Sequence, residues 1–348
     1  AGELDRVELA VRHQSPRYAA LTAPEPLEGA AIRRLLTPDT LLLEYALGEE
    51  RSFLWAVGPE TVRLHELPPR AEIEAAAGRA HRELSVLDPL GARALAATLD
   101  ELSRLVLAPV AAELDGRRLV VVADGALHYV PFSVLPRPGA AGEILLDRHE
   151  VVHLPSISAL ALLRRGRGGH RSPERTLAVL ADPVFGAGDE RLAGGARTEA
   201  STPVAALEPA GGPERGDRFV RLPATRDEAL AIAALLPPGE VWSALGFAAR
   251  REAVLSGELA PFRFLHFATH GVIDTERPEQ SGLLLSRFTE RGEPRDGFLT
   301  LGDVYGLDLS AELVVLSGCE TALGRRVAGE GLVGLTRGFL HAGAERVM

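Results

Sequence analysis

The chain has 348 residues, 46% hydrophobic and 25% charged, which is ordinary for a globular protein with a sizeable core. This length exceeds one simple core, so we expect two domains or one large α/β unit with additions. The formal net charge of −10 argues against nucleic acid as the main partner, because phosphate binding requires a clustered basic face.

The cysteine content and the start of the chain predict a cellular compartment. Cys319 is the single cysteine, so an internal disulfide is impossible and the fold suits a reducing cytoplasm. The first residues mix charge into every turn, unlike a signal peptide, and no apolar run reaches the length that spans a bilayer. We therefore expect a cytoplasmic protein that does not enter a membrane. Because the chain opens inside a helical pattern without a methionine, we also expect a preceding regulatory region.

The first half of the sequence predicts strands followed by helices. Residues 1–30 are interpreted as a helical linker, with a short amphipathic helix over 3–13 that the following prolines end. Two or three adjoining strands are predicted within 39–67, and helical structure is predicted from about 71 to 114. A buried strand then follows in "RRLVVVADG". We assign 31–163 to this first half, and we interpret the basic, glycine-rich stretch 164–175 as a linker.

The second half, residues 176–348, alternates strands with helices. It begins with the apolar run "TLAVLADPVF" and continues into 186–217, which is rich in Gly, Ala, Pro, Glu and Arg, so we expect a mobile loop that proteases cut. Thr225 and Glu228 have the spacing of a capping box at the start of a helix. Strands are predicted in "EVWSA", "FRFLHFATH", "GLLLS" and "ELVVLSGC", with helices between them and a last helix before "ERVM".

This alternation predicts a parallel sheet with helices on both faces, in which functional groups gather at the carboxyl ends of the strands. Two predicted buried strands end at such positions in His270-Gly271 and in Gly318-Cys319. A thiol becomes a good nucleophile as a thiolate, and an imidazole can take its proton and later protonate a leaving amine. We therefore predict that His270 is a general base and Cys319 a nucleophile, with the N–H groups of Gly271 and Cys319 forming an oxyanion hole.

Less specific interpretations of the same residues remain open. A lone cysteine in an apolar strand is usually an inert core residue. His266 would share a strand face with His270, and a metal site would use these two histidines with Cys319, but no fourth ligand lies at a recognisable spacing. We interpret His266 as a core or supporting residue. We predict no metal and no other cofactor.

At these residues the sequence resembles a known family. The segments "FLHFATHG", "LVVLSGCETALG" and "EGLVGLTRGFLHAGAERV" resemble the CHAT-domain peptidases, a caspase-like and separase-like group often joined to tetratricopeptide repeats. The resemblance extends to "PDTLLLEYALGEERSFLWAV", "LVVVADGALHYVPFSVLP" and "LPATRDEALAIAALLP", and so covers nearly the whole chain. It implies an α/β fold, a caspase-like sandwich around a parallel sheet, with a pseudo-protease half and an active half.

The resemblance also implies roles for individual residues. It supports His270 as the base and Cys319 as the nucleophile of a cysteine endopeptidase that cleaves a partner protein. It implies regulation by an attached tetratricopeptide-repeat region, in bacterial signalling or defence. Some relatives that cut after basic residues carry an acid two positions before the cysteine, where this chain has Ser317. Asp274, Ser317 and Glu320 are candidate substrate-binding residues, and the family continues beyond the last residue of this chain, so we expect the catalytic half to be truncated.

Two other functions remain open at this point. A pseudo-protease scaffold would bind a partner through the same sheet without cutting it. An acyl transferase or esterase would use the same thiolate on a small ester. Replacement of Cys319 separates the scaffold from both enzymes, and a comparison of peptide with ester substrates separates the two enzymes from each other.

Overall fold

The structure is a computed structural model, and the residues that it describes divide into two compact units. The first unit ends at Arg165 and the second begins at Gly166. The predicted helix over 3–13 and most of the predicted loop at 186–217 lie outside the described residues. The described residues are 27–86, 92–114, 116–140, 142–166, 172–192, 219–272, 280–318 and 330–348.

The first unit is a five-stranded mixed sheet with helices against it. Its strands lie in the order β3-β2-β1-β4-β5, where β1, β4 and β5 are parallel and β2 and β3 are antiparallel additions at one edge. The elements are α1 (Gly29–Arg34), β1 (Thr40–Ala46), β2 (Ser52–Val57), β3 (Val62–Leu67), α2 (Arg70–Ser85), α3 (Ala92–Val106), β4 (Arg118–Val122), β5 (Val151–His153) and α4 (Ile157–Gly166).

The core of the first unit follows from the spacing of its apolar residues. Helix α2 buries Ile73, Ala76, Ala77 and Ala80, a spacing that puts all four side chains on one helix face. Strand β1 is buried almost continuously because both faces of the sheet are covered there, with alternate residues in two apolar clusters. The helical prediction for 71–114 was thus correct in type, but two helices and a 3₁₀ turn stand in place of one long region.

The second unit contains a fully parallel four-stranded sheet, as the strand and helix alternation predicted. The strands lie in the order β12-β8-β6-β7, and a small antiparallel sheet has the order β11-β10-β9. The elements are β6 (Arg175–Ala181), α5 (Ala224–Ala233), β7 (Val241–Leu245), α6 (Arg251–Leu255), β8 (Phe262–Ala268), β9 (Gly271–Val272), β10 (Gly282–Leu284), β11 (Phe298–Thr300), α7 (Leu301–Tyr305), β12 (Leu313–Ser317) and α8 (Glu330–Ala342).

Helices cover both faces of this parallel sheet. On one face Ala229 of α5 packs with Val179, Ala181 and Ala268 of the strands. The other face carries the larger core, built from β6, β8 and β12 with residues of α6, α7 and α8. After α8, Val347 forms an isolated parallel bridge with Val314 of β12, and the Met348 N–H donates to Val314 O at 2.9 Å.

Two further observations concern the helices. None of the helices in the described part of the chain combines the length and the apolar character needed to cross a membrane. Thr300 is the N-cap residue of α7, and Asp303 completes the capping box, since its side chain accepts from the N–H of Thr300 at 2.8 Å. Asp303 also pairs with Arg251 at 2.6 Å. This acid is therefore used to begin a helix.

Candidate functional site

The carboxyl ends of three parallel strands lie side by side in the second unit. The chain passes from β6 to β7 on one side and then returns to place β8 and β12 on the other, so the topology switches direction between β6 and β8. Open α/β sheets bind ligands outside the strand ends at such a switch. The residues that follow the three strands are Asp182 after β6, Thr269 and His270 after β8, and Gly318 after β12.

Gly318 lies directly against the end of β8. Ser317 pairs with Ala268, and the Thr269 N–H donates to Ser317 O at 3.2 Å. A Cβ atom added to Gly318 would lie 2.5 Å from the carbonyl oxygen of Thr269 and 3.4 Å from the nitrogen of Gly271. A side chain cannot occupy that space without displacing backbone, so glycine permits this close approach. Gly318 is also the residue that precedes Cys319 in the sequence.

The imidazole of His270 is buried and held in one orientation. Only 3% of the residue is exposed, and its ring packs against both Phe185 and Phe219, with ring centroids 5.0 and 5.1 Å away. Its Nε2 lies 2.8 Å from the carbonyl oxygen of Val220. Because a carbonyl oxygen can only accept, this hydrogen bond places the proton of the neutral ring on Nε2 and leaves Nδ1 as the basic nitrogen.

The electrostatics of His270 favour the neutral base. Burial lowers the pKa of His270, and the hydrogen bond to Val220 opposes that shift only in part. Nδ1 is buried, and no described residue forms a hydrogen bond with it. A buried nitrogen without a hydrogen bond is energetically costly, so Nδ1 is an acceptor with an unused lone pair among the described residues.

Asp182, which follows β6 beside β8, forms a buried ion-pair cluster. It is 0% exposed, and its φ of 51° is the one positive value among the described residues other than glycine. Arg221 donates Nε to Oδ1 at 2.9 Å and Nη2 to Oδ2 at 3.0 Å, in the two-bond geometry that guanidinium and carboxylate groups share. Arg191 lies 2.8 Å and Arg226 3.6 Å from Oδ2, so three arginines surround the buried carboxylate.

A second polar group connects α5 to the sheet. The Ser317 hydroxyl donates to Oε1 of Glu228 at 3.3 Å, and Nε2 of His266 lies 3.2 Å from the same oxygen. Burial lowers the pKa of His266, while the charge of Glu228 raises it in opposition. The buried His266 thus supports the sheet beneath the strand ends.

The predicted capping box at Thr225 and Glu228 was wrong. Helix α5 begins at Ala224 after Pro223, so Thr225 lies inside the first turn, where its hydroxyl donates to Leu222 O and accepts from Asp182 N–H. Glu228 points instead to His266 and Ser317. The spacing is that of a capping box, but Thr225 binds Leu222 and Asp182, and Glu228 contacts residues of two strands.

The candidate residues from the sequence are only partly covered by the structure. It brings Gly271 beside Gly318 and gives Ser317 a carboxylate partner. Asp274, Cys319 and Glu320 lie outside the described residues. Among the residues that are described, no group of three or more His, Cys, Asp or Glu side chains has the arrangement of a metal site.

Sequence reasoning missed Val220, Asp182 and Arg221. Val220 acts through its backbone carbonyl, which leaves no signal in residue type. Asp182 could have been found, because it directly follows a buried strand that was predicted to end at the functional edge of the sheet.

Comparison with known proteins identifies a family and two similar proteins. The family model described as CHAT domain matches residues 96–348, which is more than half of the chain. Two curated proteins are similar over 270 residues, which is 67% of this chain, at 28% identity in the mouse and 26% in the human protein; both are named Tetratricopeptide repeat protein 28. The matched region spans only 10% of the length of either relative.

Proposed function

Because the chain belongs to the CHAT-domain family, which is related to the caspase-like cysteine peptidases, we propose that it is a cysteine endopeptidase that cleaves a partner protein. His270 is the general base and Cys319 the nucleophile. The observation that carries the proposal is the state of His270, a buried neutral imidazole whose Nε2 is engaged and whose Nδ1 has no described partner.

The reaction follows from these assignments. Nδ1 of His270 accepts the proton of the Cys319 thiol, and the thiolate attacks the carbonyl carbon of the scissile peptide bond. The backbone N–H groups of Gly271 and Cys319 donate to the oxyanion that forms. The imidazolium then gives its proton to the leaving amine, and a water molecule deprotonated by His270 hydrolyses the thioester.

The surroundings of Gly271 support its role as a donor. The Leu284 N–H donates to His270 O at 2.9 Å, and Leu283 pairs with Gly271 in the antiparallel ladder. Hydrogen-bonded pairs alternate with non-bonded pairs in such a ladder, so the N–H of Gly271 lies outside it and on the side of Gly318. A Cβ atom at Gly271 would meet nothing within 4 Å among the described residues.

Domain roles and partners extend this proposal. The first unit contains no cysteine, and we assign it to the inactive, pseudo-protease half. A tetratricopeptide-repeat region would regulate cleavage, a suggestion supported by the names of the similar proteins. The partner is a protein substrate, consistent with a peptidase-related family.

The single cysteine allows a direct test by alkylation. Iodoacetamide labelling of the whole chain reports on Cys319 alone, and its rate is measured from pH 5 to 9. We expect the unmodified chain to react well below the pH at which an ordinary thiol ionises, near 8.5, because His270 assists ionisation. The variant His270→Gln should require higher pH for the same rate.

His266→Gln is the matched control, since His266 lies on β8, four residues before His270, but contacts Glu228. It should keep the reactivity of the unmodified chain. A peptide acyloxymethyl ketone then distinguishes a peptidase from a reactive thiol, since covalent capture should need both Cys319 and His270. Equal alkylation profiles for the unmodified chain and His270→Gln would overturn the dyad and favour a scaffold that binds without cutting.

A further inference from the structure

Three consecutive residues before α5 connect His270 to the Asp182 cluster. Phe219 packs against the imidazole ring, Val220 accepts the Nε2 proton through its carbonyl, and Arg221 pairs with Asp182 through two hydrogen bonds. The orientation of the histidine therefore depends on a segment whose side-chain anchor is Arg221.

The anchor is strong because its acceptor is buried. Asp182 is inaccessible to solvent and its backbone adopts a left-handed conformation, which a residue other than glycine adopts at a cost. Its N–H donates to the hydroxyl of Thr225 at 3.0 Å, four residues after Arg221. Asp182 therefore binds both ends of the short stretch 221–225 and fixes how the chain enters the helix.

Arg191 makes the role of Arg221 separable from the stability of Asp182. It pairs with the same carboxylate at 2.8 Å, and it also donates to the carbonyl oxygens of Asp182 and Pro183. These contacts join Arg191 to the end of β6 and not to Phe219 or Val220. Loss of Arg221 therefore leaves the aspartate neutralised, while the segment that contacts His270 loses its anchor.

From this geometry we propose that Arg221 and Asp182 form a clamp that positions His270, holding its ring in one orientation and in the tautomer with a bare Nδ1. Arg221 is a positioning residue that acts through Val220 and Phe219. This inference rests on the proposed function for its catalytic consequence, but its structural part stands without any activity.

The test reads His270 directly by NMR. The whole chain is labelled with ¹⁵N-histidine, and long-range ¹H–¹⁵N spectra identify the tautomer of each of the ten histidines, with His270→Gln used for assignment. In the unmodified chain we expect a single tautomer of His270 with the proton on Nε2. In Arg221→Gln we expect a mixture of tautomers, and a titration midpoint that rises because water reaches the ring.

Two variants serve as matched controls. Arg191→Gln removes another arginine partner of Asp182, and Arg251→Gln removes an equivalent two-bond pair with Asp303 elsewhere in the unit. Both should leave the His270 signals unchanged. Arg221→Lys keeps the charge but not the two-bond geometry, so it should restore the tautomer only in part.

The catalytic consequence is measured separately, as the rate of capture by the peptide acyloxymethyl ketone. We expect Arg221→Gln to lower this rate by about 10- to 100-fold, as misplacement of a catalytic group does. If Arg221→Gln leaves the tautomer and titration of His270 unaltered, or if Arg191→Gln changes them equally, the clamp is wrong. If Arg221→Gln shows the expected NMR change but the unmodified chain shows no His270-dependent capture, the peptidase proposal is refuted and the clamp still holds.

Discussion

The two units use an aspartate in the same place with different surroundings. Asp124 follows β4 in the first unit, and its carboxylate accepts from the Leu47 N–H at 2.7 Å and lies 3.4 Å from Arg70. Asp182 follows β6 in the second unit and pairs with Arg191 and Arg221. The side chain of Asp124 is 38% exposed, whereas that of Asp182 is 0% exposed.

This difference indicates what each cluster does. Arg70 also donates to Leu47 O and pairs with Glu74, so the exposed cluster connects the ends of β1 and β4 to α2. The buried cluster connects the end of β6 to the segment that holds His270. A half-exposed pair contributes little because water competes for its charges, whereas a buried pair is costly to break. The comparison predicts unequal responses to the same substitution.

The largest effect is expected from removal of the two carboxylates. Asp182→Ala should lower the free energy of unfolding by about 3 kcal/mol, because two partly buried guanidinium groups lose their partner. Asp124→Ala should cost about 1 kcal/mol, mainly through the hydrogen bond to Leu47. Urea unfolding monitored by circular dichroism measures both, and equal losses would remove the distinction between the two clusters.

Alanine substitution of glycine should also cost more stability in the second unit, at Gly318, than in the first unit, at Gly125. A Cβ atom on Gly318 would meet the backbone oxygen of Thr269 at 2.5 Å, so Gly318→Ala should cost about 2 kcal/mol through displaced backbone. Gly125 has a φ of 56°, and its Cβ atom would meet the movable end of Glu74. Gly125→Ala should cost about 1 kcal/mol from backbone strain.

Gly271→Ala is the control for this pair, since its Cβ atom would meet nothing within 4 Å among described residues. It should change the free energy of unfolding by less than about 0.5 kcal/mol. A loss for Gly318→Ala no greater than for Gly271→Ala would contradict the close approach of β12 to the end of β8.

The apolar runs of the strands made most of the second unit's sheet predictable from sequence. Apolar runs such as those of β6 and β8 are long enough to identify strands, and the alternation with helices identifies a parallel sheet. His270 was proposed as a site residue because it ends such a run. The hydrogen bond from His270 to Val220 could not be predicted, because it joins residues 50 positions apart through a backbone oxygen.

Glu228 shows how a local sequence pattern can predict the wrong contact. Local spacing predicted a cap, but His266 and Ser317, from two different strands, hold this carboxylate in the folded chain. Tertiary contacts of this kind override a local preference worth only about 1 kcal/mol. The assignments of Cys319, Asp274 and Glu320 stay predictions, as these residues lie outside the described part of the chain.

Acid should weaken the second unit through its buried histidine. The pKa of His270 is lowered by burial, so on acidification the unfolded chain takes up a proton before the folded chain does. Stability present above the unfolded pKa, near 6.5, should therefore be lost as pH falls toward the lower folded value. Urea unfolding at pH 7 and pH 5 should show a smaller loss in His270→Gln than in the unmodified chain. An equal loss in both would place the acid sensitivity elsewhere.

The smallest effect on stability is expected at Ser317, the last residue of β12, where only one hydroxyl group is removed. Ser317→Ala removes its hydrogen bond to Glu228, but that carboxylate is 39% exposed and regains water, so the free energy of unfolding should fall by about 0.5 kcal/mol. If Ser317 also binds substrate, as the sequence suggested, the rate of peptide-probe capture should fall by more than this stability change explains. Unchanged capture would assign the hydroxyl to α5 alone, and so separate the residues that support the strand ends from those that meet a ligand.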